Sequence, residues 1–255
     1  MRRSFFRSTI KILGLSFFVI LITILISSNK SYAETSNWPS DPSENLPVVV
    51  REKNQDLTAI VEDGSGGAYI FWWEGSRGNA LYAQRIDAAG NKLWAEDGVA
   101  VHSQVITRAV RSENGGVIVV WDSADGQMRR VYAKYIDPDG NVMWDSGDGK
   151  GMLISGELTG QDPVIVSDGD GGAVIAWTGF LGVNRSILAQ RVDQNGQLLW
   201  NQNGVPLTLY GFNKRNQKIV RTSEGNFVVA WKQHASFLNS DIYAQMIDSD
   251  GNLLW

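Results

Sequence analysis

Hydrophobic and polar positions follow one pattern that the chain repeats four times. Each repeat has a Gly-rich turn, an apolar run ending in Trp, a polar loop, an alternating run, and an Asp-x-x-Gly turn before a second Trp. A period near fifty residues predicts a propeller or a solenoid. The apolar runs end at Trp72, Trp121, Trp177 and Trp231, and the second Trp of each repeat is Trp94, Trp144, Trp200 or Trp255.

The content of one repeat decides between these architectures. The run from Ala173 to Trp177 is apolar on both alternating faces, which predicts a strand covered on both sides. In the alternating run of the first repeat, Tyr82, Gln84 and Ile86 fall on one face of the predicted strand. The segment Asp87 to Gly90 then suits a hairpin turn with Gly in the left-handed conformation. Four antiparallel strands per repeat, named A to D in chain order, predict an all-β fold, a β-propeller of four blades.

The first thirty-three residues differ from the repeats. A basic start, an apolar run over 12–26 and a small-x-small site ending at Ala33 predict a secretory signal peptide over 1–33. The alternative is an uncleaved anchor, although a membrane span needs about 20 apolar residues. A polar lead-in follows over 34–45. The propeller domain is predicted over 46–255, with repeats at approximately 51–101, 102–154, 155–209 and 210–255.

The chain starts with a segment that its last repeat lacks. Leu46 to Val50 resembles the short run that follows the second Trp, as in Gly204 to Leu207, and no such run follows Trp255. We therefore expect residues 46–50 to complete the last blade by pairing with residues around 250–255, which would close the ring. The alternative is an open fragment of a larger propeller or a piece of an oligomeric ring.

Charge and cysteine content narrow the function classes. The chain has a net charge of −4, and its first thirty-three residues hold five Lys and Arg and no acidic residue. The remaining chain is therefore distinctly acidic, which argues against nucleic acid as a partner. The chain has no Cys, which excludes disulfides, thiolate zinc sites and Cys nucleophiles. We expect a secreted, periplasmic or cell-surface protein that does not associate with the membrane in its mature form.

The repeats resemble those of exported, mostly uncharacterised bacterial β-propeller proteins. The resemblance rests on Ile242 to Asp248, on Gly251 to Trp255, and on the preceding Gly-Gly-Ala turn and apolar run to Trp. It covers nearly all of the mature chain and implies a propeller and export, but no activity. A weaker similarity links Gly90 and Trp94 to the repeats of quinoprotein-type propellers, whose preceding Thr is absent here.

Few residues suggest catalysis or metal binding. His102 and His234 lie in different repeats without partners for a transition metal, which predicts exposed loop residues. The repeated Gln residues are predicted either to line a channel or to bond the backbone of a neighbouring blade. They are Gln55, Gln104, Gln161 and Gln217.

Acidic turns are the best candidates for a metal site. Three of them place two carboxylates two residues apart beside a Gly, which could supply oxygen ligands to Ca²⁺. The same residue types also form tight turns for backbone reasons, so turn chemistry is the alternative. The candidate calcium ligands are Asp137 and Asp139, Asp168 and Asp170, and Asp248 and Asp250.

The B–C loops vary between repeats, and ligands commonly bind to such loops on a rigid scaffold. They should lie on one face with the blade-to-blade connections, and the acidic A–B and C–D turns on the other. Trp73 is out of register with the repeated Trp, so it could stack on a sugar or pack on its own blade. The candidate ligand-binding residues of the loop face are Trp73, Arg77, Arg129, Arg130, Arg185 and His234.

Three functions fit these observations. The first is a secreted, non-catalytic propeller that binds a protein or a glycan through the loop face, without a cofactor other than the candidate Ca²⁺. The second is a hydrolase or lyase acting on polysaccharide, with Glu74, Asp122 and Asp241 as candidate carboxylates. The third is a spacer segment of a larger surface protein.

Overall fold

The computed structural model describes residues 38–75, 80–102, 108–208, 212–234 and 239–255. The predicted all-β propeller architecture is confirmed, with one antiparallel sheet for each repeat. Within the described ranges, no helical segment has the length and apolarity needed to cross a membrane.

The strands of the first two blades follow the predicted A to D order. In the second blade β8 and β9 both pair with β7, because a long loop divides the outermost strand. Blade one contains β1 (Gln55–Glu62), β2 (Ala68–Glu74), β3 (Ala80–Ile86) and β4 (Val99–His102). Blade two contains β5 (Arg108–Arg111), β6 (Val117–Asp125), β7 (Met128–Ile136), β8 (Val142–Met143) and β9 (Met152–Leu153).

The last two blades differ in strand number. Blade three has four strands, whereas blade four has three among the described residues. Blade three contains β10 (Gly160–Ser167), β11 (Ala173–Leu181), β12 (Asn184–Val192) and β13 (Val205–Pro206). Blade four contains β14 (Phe212–Arg221), β15 (Phe227–His234) and β16 (Ser240–Ile247).

The predicted closing strand is not formed. Residues 46–50 belong to none of the described strands, and no backbone pairing joins them to the described residues 250–255. Residues 38–51 are instead held on blade one at two points. Trp38 Nε1 donates to the carbonyl of Ala88 at 2.8 Å, and Arg51 forms an ion pair with Glu74. Because both contacts lie on blade one, the segment between them stays with that blade.

The C–D turns form as predicted from their Asp and Gly residues. In the first of them the Asp87 carboxylate accepts the backbone N–H groups of Ala89 and Asn91. Gly90 has φ 85°, in the left-handed region that Gly adopts at little cost. The C–D turns of blades two, three and four also each accept an indole N–H from the preceding blade. The donors and acceptor carbonyls are Trp94 to Pro138, Trp144 to Gln194, and Trp200 to Ser249.

The core consists of three apolar clusters, each between two successive blades. In β11, Ile175 and Trp177 pack toward blade two, whereas Val174 and Ala176 pack toward blade four. Both faces of this middle strand are therefore buried, as its all-apolar sequence predicts. Tyr69 of blade one joins the first cluster, and burial raises its pKa to about 12.

The outward faces of the first and last blades remain exposed. On blade one Leu57 and Ile60 are 69% and 64% exposed. On blade four Ile242 is 74% exposed. The first and last blades therefore both present apolar side chains to solvent.

Candidate functional site

The loop face is the edge of the propeller where the B strands end and the A strands begin. A buried carboxylate, Asp122, lies there at the end of β6. One of its oxygens accepts a hydrogen bond from Arg129 Nε at 2.6 Å. The other accepts the backbone N–H of Asp162 at 3.3 Å. Asp122 thus links the B–C hairpin of blade two to the inner strand of blade three.

Asp162 is placed by a bulge in β10. Its φ of 54° lies in the left-handed region, which Asp tolerates better than most residues, and the register of β10 shifts between Gln161 and Val164. The bulge leaves the Asp162 side chain exposed. One carboxylate oxygen accepts a hydrogen bond from Gln161 Nε2 at 3.4 Å. Asp162 therefore offers a carboxylate to solvent beside the buried Asp122.

A chain of hydrogen bonds continues from Asp162 to blade four. Gln217 Nε2 donates to the Asp162 carbonyl, and Gln217 Oε1 accepts from Thr178 Oγ1 at 3.1 Å. Both Gln217 and Thr178 are buried. We call Asp122, Asp162, Thr178 and Gln217 the interblade polar chain. It fixes the loop-face ends of three blades relative to one another.

The repeated Gln residues have more than one role. Gln217 donates a hydrogen bond to the backbone of a neighbouring blade, which is one of the two roles predicted for these residues. Gln55 instead donates to the carbonyl of Lys53, and Gln161 bonds the adjacent Asp162. Gln104 lies outside the described residues. The register shifts in β1, β10 and β14 place these Gln residues at different positions, so they do not form a ring of equivalent groups.

A second carboxylate on this face, Glu74, is also paired. It contacts Arg51 and, at 3.4 Å, Lys53. The hydrogen bond from Arg51 lowers the pKa of Glu74 despite its burial. Glu74 is therefore held ionised at neutral pH, which suits it to a structural ion pair rather than to proton donation. The third predicted carboxylate, Asp241, is exposed on β16.

Basic residues meet between blades three and four. Lys214 is buried, and its Nζ donates to the carbonyl of Arg185 at 3.2 Å. Burial lowers the pKa of Lys214. On the same blade, Arg215 Nη2 lies 2.8 Å from His234 Nε2. The guanidinium of Arg185 lies over the ring of Phe180, 5.5 Å from its centre.

The predicted ligand-binding residues therefore divide into separate groups. Arg129 donates a hydrogen bond to Asp122. The next residue, Arg130, donates to the carbonyl of Gly156 at 2.5 Å. Arg185 and His234 belong to the group between blades three and four. Arg77 lies outside the described residues.

Trp73 differs from its prediction as a ligand platform. Only 9% of it is exposed, and it packs in the cluster between blades one and two. Its ring cannot stack on a ligand because blade two covers it.

His102 also differs from its prediction as an exposed loop residue. It ends β4, and its ring stacks on Trp121 with 4.7 Å between the ring centres. Its Nε2 is buried and has no hydrogen-bond partner among the described residues. Burial, together with the nearby charge of Lys134, lowers the pKa of His102.

In each acidic turn, the carboxylate of the first Asp accepts hydrogen bonds from the backbone of the turn. Asp137 and Asp248 each accept two backbone N–H groups and one Asn side chain. Asp168 accepts two backbone N–H groups and pairs with Arg191 at 2.9 Å. Across the described part of the chain, no group of three or more His, Asp or Glu side chains is arranged to hold a metal ion. Calcium binding by these turns stays a prediction.

Sequence reasoning did not find Asp162. The available signal was the Asp162-Pro163 pair inside an otherwise regular strand, because Pro within a strand marks an edge or a bulge. Its contact with Asp122 depends on how two blades pack, which no local pattern encodes.

Comparison with known proteins supports the fold. An ulvan lyase of polysaccharide lyase family PL25, bound to -[GlcA(1-4)Rha3S]-, is similar with a TM-score of 0.53 at 16% sequence identity. The similarity covers 85% of this chain and 58% of the lyase chain. A second structure of the lyase gives a TM-score of 0.52 with the same identity and coverage. An endo-arabinase from Bacteroides thetaiotaomicron has 12% identity over 81% of this chain and 80% of its own, with a TM-score of 0.46.

Other comparisons give no relative. No protein-family model matches the chain, and no curated protein matches it. The chain spans about 58% of the length of the ulvan lyase. At these identities the similarity shows the β-propeller fold alone.

Proposed function

We propose that this protein is a carbohydrate-active propeller that cleaves an acidic polysaccharide on its loop face by β-elimination. The observation that carries the proposal is the position of Asp122 between Arg129 and Asp162. A buried carboxylate there holds a half-exposed guanidinium on one side and, on the other, the backbone N–H of Asp162, whose own carboxylate is exposed. The fold similarity to a lyase bound to a glucuronate-containing saccharide supports the same substrate class.

The two exposed groups have complementary roles in such a reaction. Asp162 acts as the general base that removes the proton from C5 of a uronate ring. Arg129 neutralises the uronate carboxylate, which stabilises the negative charge that develops as the proton leaves. The C4–O bond then breaks, a C4–C5 double bond forms, and the leaving oxygen takes a proton from solvent. Asp122 is a positioning residue, since it accepts hydrogen bonds from the Arg129 guanidinium and from the backbone N–H of Asp162.

Hydrolysis is less favoured by these groups. Glycoside hydrolysis requires one carboxylic acid with a raised pKa to protonate the leaving oxygen. Glu74 has a lowered pKa because of Arg51. Asp122 is buried in an ion pair with Arg129.

The test uses a glucuronate-containing polysaccharide and follows the ultraviolet absorbance of the unsaturated uronate product. The change Asp162→Asn should reduce the rate by about 100-fold or more, because a general base contributes on that scale. A matched control is Glu224→Gln, which removes an exposed carboxylate from an A–B turn and should leave the rate unchanged. New reducing ends without the absorbance would contradict elimination.

A non-catalytic role in glycan binding is the second candidate. Its support is that Glu74 and Asp122 both form ion pairs, as in a preformed binding surface. Saturable binding of the polysaccharide in affinity electrophoresis, with no product, would favour this role. A protein ligand on the same face would instead require capture of a partner in the absence of glycan.

We also infer export of the protein from the signal-like segment over 1–33, which lies outside the described residues. Sequencing of the exported protein should find Glu34 as its first residue. A first residue within 1–33 would contradict cleavage there.

A further inference from the structure

Blades two and three carry an Arg at the same place in their B–C hairpins. Arg129 and Arg185 each follow the repeated Trp of their own B strand by eight residues. Arg129 pairs in register with Ala124, and Arg185 pairs with Phe180. Blade four has Ser240 at this position. The two Arg residues therefore occupy equivalent points on neighbouring blades of the loop face.

The two Arg residues differ in what neutralises their charge. The residue directly after the repeated Trp is Asp122 in blade two and Thr178 in blade three. Asp122 forms an ion pair with Arg129. Thr178 carries no charge and donates its hydroxyl to Gln217. Among the described residues, no carboxylate forms an ion pair with Arg185, so blade three presents a positive charge where blade two presents a neutralised one.

Arg185 is held in place without using its hydrogen-bond donors. Its guanidinium lies over the ring of Phe180, 5.5 Å from the ring centre. A guanidinium over an aromatic ring makes that contact through its face, whereas its N–H donors lie in its plane. Lys214 Nζ donates to the Arg185 carbonyl at 3.2 Å, which ties the backbone of Arg185 to blade four. The half-buried side chain can therefore offer its donors to an anionic group.

The position of Arg185 relative to Asp162 is set by buried groups. Gln217 donates to the Asp162 carbonyl and accepts a hydrogen bond from Thr178. Both Gln217 and Thr178 are buried. The pair of Phe180 and Arg185 lies about 7 Å further along the strand than Thr178, because a strand rises about 3.4 Å per residue. Arg185 and the proposed base thus belong to one rigid surface.

We propose that Arg185, lying over Phe180, binds a second acidic group of the polysaccharide whose uronate is held by Arg129. This subsite rests on the proposed function, because it extends the same site from blade two to blade three. Packed sheets lie about 10 Å apart, so the two guanidinium groups meet acidic groups on different sugars of one chain. The ligand is an oxyanion, either a carboxylate or a sulfate ester, which the planar fork of Arg binds through two parallel hydrogen bonds.

The two Arg residues have separate tasks at such a site. Arg129 acts where the charge develops in the reaction, and Asp122 fixes its position. Arg185 contacts a sugar that does not react, so it binds the ground state and the transition state equally. Its removal should therefore raise KM and leave kcat unchanged.

Binding is measured by affinity electrophoresis in a polysaccharide that carries both glucuronate and sulfate. Every variant contains Asp162→Asn, so that no cleavage disturbs the measurement. Adding Arg185→Gln should weaken the Kd by about tenfold or more, which is the usual effect of losing a charge-assisted hydrogen bond. The matched control is Arg221→Gln, which removes an exposed Arg at the end of β14 beside the A–B turn and should leave the Kd unchanged. An equal Kd with and without Arg185→Gln, or an equal loss in the control, would overturn the subsite.

Modified forms of the same polysaccharide identify the acidic group. If Arg185 binds sulfate, the effect of Arg185→Gln should disappear on the desulfated form and remain on the carboxyl-reduced form. If Arg185 binds a carboxylate, the two forms should behave in the opposite way. An effect that remains on the polysaccharide stripped of both groups would contradict an anion-binding role.

Kinetics on the protein with its Asp162 intact separate this subsite from the proposed reaction. We expect Arg185→Gln to raise KM by about tenfold with unchanged kcat, because the lost contact is a charge-assisted hydrogen bond to a sugar that does not react. Elimination with an unchanged KM and Kd in Arg185→Gln would contradict the subsite alone. Binding that depends on Arg185 without any elimination product would contradict the lyase activity and support the subsite.

Discussion

Blades three and four follow the same repeat pattern, but their C strands differ greatly in burial. Ile187 and Ala189 in the C strand of blade three are fully buried, whereas Ile242 and Ala244 in blade four are exposed. The backward faces show no such difference, because Trp177 and Trp231 are both buried against the preceding blade. A blade therefore provides half of each interface, and its neighbour decides whether that half becomes core.

The largest effect should come from removing a Trp that lies between two blades. Trp177 is fully buried in the cluster of blades two and three. We expect Trp177→Ala to lower the free energy of unfolding by about 3–5 kcal/mol, because it leaves a large cavity. Urea denaturation measures this change. The matched control is Trp255→Ala, which removes a 58% exposed Trp and should have little effect. Equal losses for both would contradict the assigned interfaces.

Much of this fold could be predicted from the sequence because its signals are local. The alternation of apolar and polar residues predicts the strands, and the repeat length near fifty residues predicts the blades. The turn from Asp87 to Gly90 was also predictable, because both of its determinants lie within five residues. The Asp carboxylate accepts backbone N–H groups of the turn, and the Gly adopts the left-handed conformation.

The candidate site was less predictable because its contacts join different blades. The fate of Trp73 depended on blade two, which covers its ring. Asp162 reaches Asp122 only through a bulge in β10 and the packing of two blades. The segment 46–50 resembles an outer strand, but the contacts of Trp38 and Arg51 hold it on blade one. Local sequence patterns carry none of this information.

A matched pair of Ile substitutions tests the comparison of the two blades directly. Ile187→Ala should lower the free energy of unfolding by about 2–5 kcal/mol, as is usual for a buried Ile. Ile242→Ala should change it by no more than about 0.5 kcal/mol, because the side chain is exposed. Urea denaturation measures both changes. A large loss for Ile242→Ala would show that another part of the chain covers blade four.

A smaller effect should appear in the pH dependence of stability through His102. This residue belongs to β4, the outer strand of blade one, and it packs on Trp121 of the next blade. Its pKa is lowered by burial and by Lys134, so the folded state favours the neutral ring. The unfolded chain takes up the proton near pH 6.5 and therefore binds more protons as the pH falls.

The sign of the effect follows from this difference in proton binding. The stabilisation due to neutral His102 is fully present above about pH 6.5 and is lost as the pH falls toward the folded-state pKa. We expect His102→Gln to flatten the decrease in unfolding free energy between about pH 7 and pH 5.5, measured by urea denaturation. His234→Gln, the matched change at the second His of the chain, should leave that decrease in place. An unchanged slope in His102→Gln would mean that the ring is not held neutral between blades one and two.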